Sequence, residues 1–108
     1  MLELLIFKKK IKHDHDVLLT LFKDFGKLDG YGAAGRAQMF INMTKTAKFF
    51  NVIFDDSELR QHRFMVCTEI KIKKYVTPSS KCCIILAWNY AADILPKIED
   101  HYQNIFTL

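Results

Sequence analysis

The sequence predicts an α/β domain, in which a mostly parallel sheet of about four strands and its flanking helices form three layers. Three observations predict this class. The 108 residues suffice for one compact domain, and half of them are hydrophobic. Segments with helical and with strand-like periodicity alternate along the chain. The apolar run 82–88 shows no polar alternation, which is typical of a strand covered on both faces, as in a parallel sheet.

The first predicted element is a helix. Its apolar residues recur at helical spacing: Val17, Leu18, Leu21, Phe22 and Phe25. Asp14 or Asp16 can cap its start, and Gly26 is placed to end it in the left-handed conformation. Residues 1–13 are then a peripheral or flexible N-terminal segment of a single domain, 1–108.

A strand and a second helix follow. The segment 27–32, KLDGYG, predicts a short strand that runs into a glycine-rich turn, although Asp29 and Gly30 have low strand propensity. Residues 36–44 are compatible with a helix that places Met39, Phe40 and Met43 on one face.

Three further strands are predicted after residue 47. Residues 48–54 are aromatic and β-branched, and they indicate a buried strand. The segment 57–68 has no clear periodicity and predicts a loop. Alternation at Ile70 and Ile72 indicates a short strand near a sheet edge, and the apolar run 82–88 is the clearest strand.

A last helix follows the strand 82–88. Its apolar positions are Ala91, Ile94, Leu95, Ile98 and Tyr102. Asn89 can cap its start. Pro96 lies inside it and removes the hydrogen bond to the carbonyl of Ala92, so we expect a kink or a late start of the helix.

The glycine-rich turn is the first candidate binding site. Residues 30–36, GYGAAGR, have the G-x-G-x-x-G spacing between a predicted strand and a predicted helix. Without side chains there, a phosphate can approach backbone N–H groups at the positive end of a helix, and Arg36 can add a bidentate contact. The strand 48–54 ends in Asp55 and Asp56, where mononucleotide-binding folds place a carboxylate against a ribose hydroxyl. We therefore predict a diphosphate cradle in the turn and a ribose or base contact at these carboxylates.

The end of the strand 82–88 is the second candidate position. Trp88 and Asn89 emerge at the carboxyl edge of the sheet, the edge at which open α/β sheets bind ligands. Structural roles stay open for both positions. Any tight strand-to-helix turn selects glycines, Trp88 also fits the core, and Asn89 also fits a plain helix cap.

Composition disfavours several other classes. The net charge of +4 comes from scattered lysines, so no nucleic-acid partner is expected. No stretch reaches the roughly 18 apolar residues that cross a bilayer, and the apolar start precedes its charges, so we expect a cytoplasmic protein with no membrane partner. His13 and His15 lack a nearby cysteine cluster, and we expect no metal site. No residue stands out as catalytic.

Three stretches resemble one family. Residues 30–42 (GYGAAGRAQMFIN), 55–72 (DDSELRQHRFMVCTEIKI) and 84–95 (IILAWNYAADIL) are similar, in that order, to signature stretches of one domain. This is the C-terminal domain of S-adenosylmethionine-dependent sugar C-methyltransferases, which act on nucleotide-linked deoxysugars. The resemblance covers roughly residues 15–104. It implies a Rossmann-like domain that helps to hold the nucleotide-linked sugar and packs against a separate methyltransferase domain or subunit.

The resemblance also implies a set of substrate-binding residues: Tyr31, Gly32, Ala33, Arg36, Asn42, Trp88 and Asn89. The first three match the family's Y-G-A-P-A-K-G turn, and Arg36 stands where its lysine would. Asn42 matches the family's asparagine after the helix. Trp88 and Asn89 match its pair at the strand end, with Asn89 facing the sugar. Ala34 and Ala37 depart from the turn's proline and glycine.

Two larger features depart from the family. The chain between Ile72 and Cys82 is too short for the helix that usually separates the last two strands. The zinc-binding part and the S-adenosylmethionine-binding part, which carry the methyl donor and the catalytic base, have no counterpart. We therefore expect no cofactor in this chain, S-adenosylmethionine in a partner or missing domain, and no methylation by this chain alone.

Two further hypotheses stay open. One is a protein-interaction module that uses the apolar terminal segments 1–7 and 104–108. The other is a small dinucleotide-binding protein that uses Asp55 or Asp56 on the ribose.

Overall fold

The computed structural model describes residues 2–107, with side chains from residue 8 onward. Its strands are β1 (Leu28–Tyr31), β2 (Phe50–Phe54), β3 (Lys71–Lys73), β4 (Cys82–Ile85) and β5 (Asn104–Thr107). Its helices are α1 (Leu2–Phe25), α2 (Gly35–Thr44) and α3 (Ala91–Ile98), with short 3-10 segments at Ala47–Phe49 and Trp88–Tyr90. The strands form one parallel sheet in the order β3-β2-β1-β4-β5, which is a Rossmann-like order. The predicted α/β class is confirmed, and β5 is one strand more than expected.

The sheet has a helical layer on each face, as predicted. On the first face, α1 and α2 bury Leu18 and Ile41 against residues of the sheet such as Ile53. On the second face, α3 packs Ile94 and Ile98 against the sheet. Both faces of the central strands are therefore dry, which explains the continuous apolar sequence of β4.

Helix α1 begins earlier than the sequence predicted. Asp14 and Asp16 do not cap its start, because the helix already runs from Leu2. Both aspartates instead pair with lysines one turn earlier, Lys10 at 2.9 Å and Lys12 at 3.9 Å, an arrangement that supports a helix interior. The predicted end is confirmed: Gly26 has φ +77° and its N–H donates to the Phe22 carbonyl. The side chains of 1–7, one of the proposed interaction segments, lie outside the described residues.

Asp29 explains how β1 forms in spite of its low strand propensity. Its carboxylate is fully buried, and it accepts hydrogen bonds from the Tyr102 hydroxyl at 2.7 Å and from both the backbone N–H and the hydroxyl of Ser79. Burial and the bond to this carboxylate raise the pKa of Tyr102, so its hydroxyl stays a donor. A satisfied buried polar group can therefore stand in the middle of the sheet.

The chain after β4 differs from the prediction. The strand ends at Ile85, because the Tyr31 carbonyl accepts the N–H groups of both Leu86 and Ala87 and turns the chain out of the sheet. Asn89 is not the cap of the last helix, which begins at Ala91 after Tyr90 without a side-chain cap. Pro96 lies inside α3. No helix among residues 2–107 is long and apolar enough to span a membrane.

Candidate functional site

A small cavity lies where the strand order reverses, between the carboxyl ends of β1 and β4. Open α/β sheets bind ligands at such a switch point, because the connections on either side leave in opposite directions. The cavity has a volume of about 190 Å³. One wall is the start of α2, residues 34–37, and the other is the segment 86–90 that follows β4.

The three glycines of the 30–36 turn have different roles. A Cβ on Gly30 would lie 2.4 Å from Ile53 Cδ1, so this glycine allows the first face of the sheet to pack. Gly32 has φ +106°, and a Cβ there would lie 2.5 Å from Ala87 Cβ, so it allows β1 and the end of β4 to approach each other. Only Gly35 is open, with nothing within 4 Å, and it lines the cavity.

The backbone amides directly after Tyr31 are already engaged. The Gly32 N–H donates to the Phe54 carbonyl at 2.7 Å, and the Ala33 N–H donates to Asp55 Oδ2 at 2.7 Å. The free donors lie further along, in the first turn of α2, where helical N–H groups have no intrahelical acceptor. Ala34 precedes this turn and offers no side-chain cap. An anion at this site would therefore meet residues 35–37.

Arg36 and Trp88 meet across the cavity. The guanidinium carbon of Arg36 lies 5.4 Å from the centroid of the Trp88 ring, a cation–π contact. Trp88 and Tyr90 are 52% and 62% exposed, which leaves ring surface available. Arg36 is the only charged residue among the nine that line the cavity, and Asn89 lines it too. The helix start and Arg36 thus make this wall electropositive beside aromatic surface.

Asp55 holds the turn together. It is buried, and its Oδ2 accepts the Ala33 N–H. Its Oδ1 accepts the Ser57 N–H at 2.8 Å and lies 3.5 Å from Arg60 Nη1. Because both oxygens are engaged within the chain, this geometry favours a clamp between β2 and the turn over a ribose contact.

Tyr31 and Asp56 join the sheet to α3. The buried Tyr31 donates its hydroxyl to Asp56 Oδ1 at 2.5 Å, and Lys97 of α3 donates to Oδ2 at 2.9 Å. Burial, with the bond to this carboxylate, raises the pKa of Tyr31. Partial burial works against ionisation of Asp56, but the two donors and the lysine charge outweigh it and lower the Asp56 pKa. Asp56 itself is exposed.

Asn42 stands apart from the cavity. It lies about two turns along α2, and its side-chain amide donates to the carbonyls of Gln38 and Val66. It therefore fastens the 57–68 loop to α2. No group of three His, Cys, Asp or Glu side chains within the described part of the chain could hold a metal ion.

The structure brings three of the candidate residues together at the cavity: Arg36, Trp88 and Asn89. Three more are buried and do not line it: Tyr31, Gly32 and Ala33. Asn42, Asp55 and Asp56 do not line it. The sequence reasoning missed Tyr90, whose signal was its place directly after Trp88 and Asn89 at a strand end.

The chain matches a known protein family. Residues 5–105 match the sequence model of a family described as the C-methyltransferase C-terminal domain. The match spans nearly the whole chain and includes both walls of the cavity. No protein of curated function matches the chain.

Proposed function

Because the chain belongs to the C-methyltransferase C-terminal domain family, we propose that it holds the nucleotide-linked sugar of an S-adenosylmethionine-dependent C-methyltransferase. The methyl donor and the catalytic base belong to a separate methyltransferase domain or subunit. One observation carries this proposal: the uncapped start of α2 and Arg36 face Trp88 across a cavity at the switch point of the sheet.

The diphosphate of the ligand is the group that the cavity suits. Free N–H groups at a helix start and the positive end of the helix dipole bind anions, and Arg36 adds a formal charge with two parallel donors. Among the described side chains, no carboxylate lines the cavity to repel the ligand. The exposed rings of Trp88 and Tyr90 offer apolar surface to the base or the sugar, and Asn89 offers an amide to sugar hydroxyls.

The size of the cavity supports an accessory role. Complete small-molecule sites usually enclose about 300–1,000 Å³, whereas this one encloses about 190 Å³. It therefore holds part of a nucleotide-linked sugar, and a second domain closes over the rest.

We place the protein in the cytoplasm, where its three free cysteines, Cys67, Cys82 and Cys83, would stay reduced.

Thermal unfolding tests the proposal. A nucleoside-diphosphate hexose at millimolar concentration raises Tm, because a ligand bound only to the folded state stabilises it. S-adenosylmethionine alone leaves Tm unchanged. Arg36→Ala abolishes the rise, whereas the matched change Arg63→Ala, at an exposed arginine away from the cavity, preserves it. If several sugar nucleotides produce no rise in Tm, the proposal is refuted.

A further inference from the structure

The second face of the sheet lacks a helix over β2 and β3. Helix α3 packs on this face through the cluster of Tyr31, Ile85 and Ile94. The connection from β3 to β4, residues 74–81, also returns over this face, but the structure shows no helix in it. Crossover connections between parallel strands usually contain a helix that covers the sheet.

One aromatic residue replaces part of the absent helix. The Tyr75 ring lies edge-on to Phe54 at 5.0 Å, and it contacts Tyr31 at 5.9 Å and Tyr102 at 6.5 Å between ring centroids. It therefore covers the centre of the face. The outer part, between β3 and the crossover, remains a groove of about 550 Å³.

The groove combines apolar surface with a basic rim. Its residues come from β2, from the β3 region and from the crossover, and they include Glu69, Lys71, Lys73, Lys74, Val76 and Pro78. Val76 is 79% exposed although it is apolar. Three lysines stand against one acid, Glu69. This surface therefore attracts a partner with both an apolar stripe and negative charge.

We propose that this groove is the docking site for an acidic amphipathic helix of a partner protein or domain. Such a helix supplies the layer that the short crossover lacks, and it places its apolar stripe on Val76 and Pro78 of the crossover. Acidic residues on its flanks meet Lys71, Lys73 and Lys74. Recognition of an amphipathic helix by a groove depends on this combination of apolar anchors and charged flanks.

Charge argues against one other occupant of the groove, and the apolar residues argue against a second. A second copy docked by two-fold symmetry would place the lysines of each copy against those of the other, because the same surface meets itself. A nucleic acid would satisfy the lysines but would leave Val76 and Pro78 without apolar contacts. The groove shares no residue with the switch-point cavity, so this inference and the proposed sugar-nucleotide binding can fail independently.

Fluorescence anisotropy with designed peptides tests the proposal. The probe is a labelled peptide of about 16 residues, with leucines at helical spacing and glutamates on both flanks, long enough to form a helix on binding. The matched control peptide carries lysine for every glutamate. The whole chain binds the acidic peptide and not the basic one, and about 0.5 M salt weakens the binding.

Two variant pairs locate the binding surface. The double substitution Lys71→Glu with Lys73→Glu weakens binding of the acidic peptide at least about tenfold, because the charge of the rim changes by four units. Lys8→Glu with Lys9→Glu makes the same change of charge at exposed positions of α1 and alters binding less than about twofold. Both pairs leave Tm and its rise with the sugar nucleotide unchanged, because all four side chains are exposed and lie outside the switch-point cavity.

Four results would overturn the proposal. The first is that the acidic peptide does not bind. The second is that both pairs of lysine substitutions weaken its binding equally, which would indicate unspecific charge attraction. The third is that Val76→Asp, at an exposed position, leaves the binding unchanged. The fourth is that a single-stranded oligonucleotide binds more tightly than the peptide, because a polyanion-binding surface would then explain the binding.

Discussion

Replacing Asp55 by alanine tests whether this residue is a clamp or a ligand group. Asp55→Ala removes the acceptor for the Ala33 N–H, which belongs to a fully buried residue that water does not reach. An unsatisfied buried donor costs about 1–3 kcal/mol. The Ser57 N–H loses a second bond to the carboxylate, but Ser57 is partly exposed and water replaces most of it. We therefore expect a loss of about 2–4 kcal/mol in the free energy of unfolding.

Urea unfolding, followed by circular dichroism, measures this loss. Asp55→Asn should lie between wild type and alanine, because one amide oxygen can still accept one of the two N–H groups. Asp56→Asn is the matched control, and at an exposed position it should lose less than about 1 kcal/mol. A loss below about 1 kcal/mol for Asp55→Ala, combined with loss of sugar-nucleotide binding, would refute the clamp and assign Asp55 to the ligand.

Two other predictions concern the turn and its neighbour. Gly32→Ala should lower the free energy of unfolding by more than about 2 kcal/mol, because the new Cβ meets Ala87 and φ is positive. Gly26→Ala, where φ is also positive but the space is open, should lower it by about 1 kcal/mol. Urea unfolding of both variants measures the difference. The lowered pKa of Asp56 means that its bonds to Tyr31 and Lys97 stabilise the fold above about pH 4, and that this contribution disappears as pH falls through the folded-state pKa. The stability difference between wild type and Asp56→Asn should therefore shrink on acidification below about pH 4, and a difference that grows there would contradict the assignment.

Local sequence patterns predicted the central strands of the sheet and the edge position of β3. The apolar run of β4 indicated a strand covered on both faces, and the edge position of β3 followed from its alternating lysines. Elements that depend on distant contacts were missed. β5 is a short segment that forms by pairing with β4, and Asp29 tolerates burial only because Ser79 and Tyr102, far along the chain, donate to it.

The candidate site, like the fold, could be predicted only in part from the sequence. Two segments that follow parallel strands must meet at one edge, so Arg36 and Trp88 could be expected to lie close together. Glycine spacing could not separate close packing at Gly30 and Gly32 from an open backbone at Gly35, because both select glycine. Sequence distance also could not tell a carboxylate that accepts a backbone N–H, as Asp55 does, from one that faces a ribose.

Amide chemical shifts, measured by NMR as a nucleoside-diphosphate hexose is titrated into the ¹⁵N-labelled chain, show whether the ligand meets the start of α2. We expect the largest changes at the N–H groups of Gly35, Arg36 and Ala37 and at the Trp88 indole, while the engaged amides of Gly32 and Ala33 change little. Saturable changes confined to another part of the chain, or no change at these four positions, would show that the ligand does not bind at the switch-point cavity.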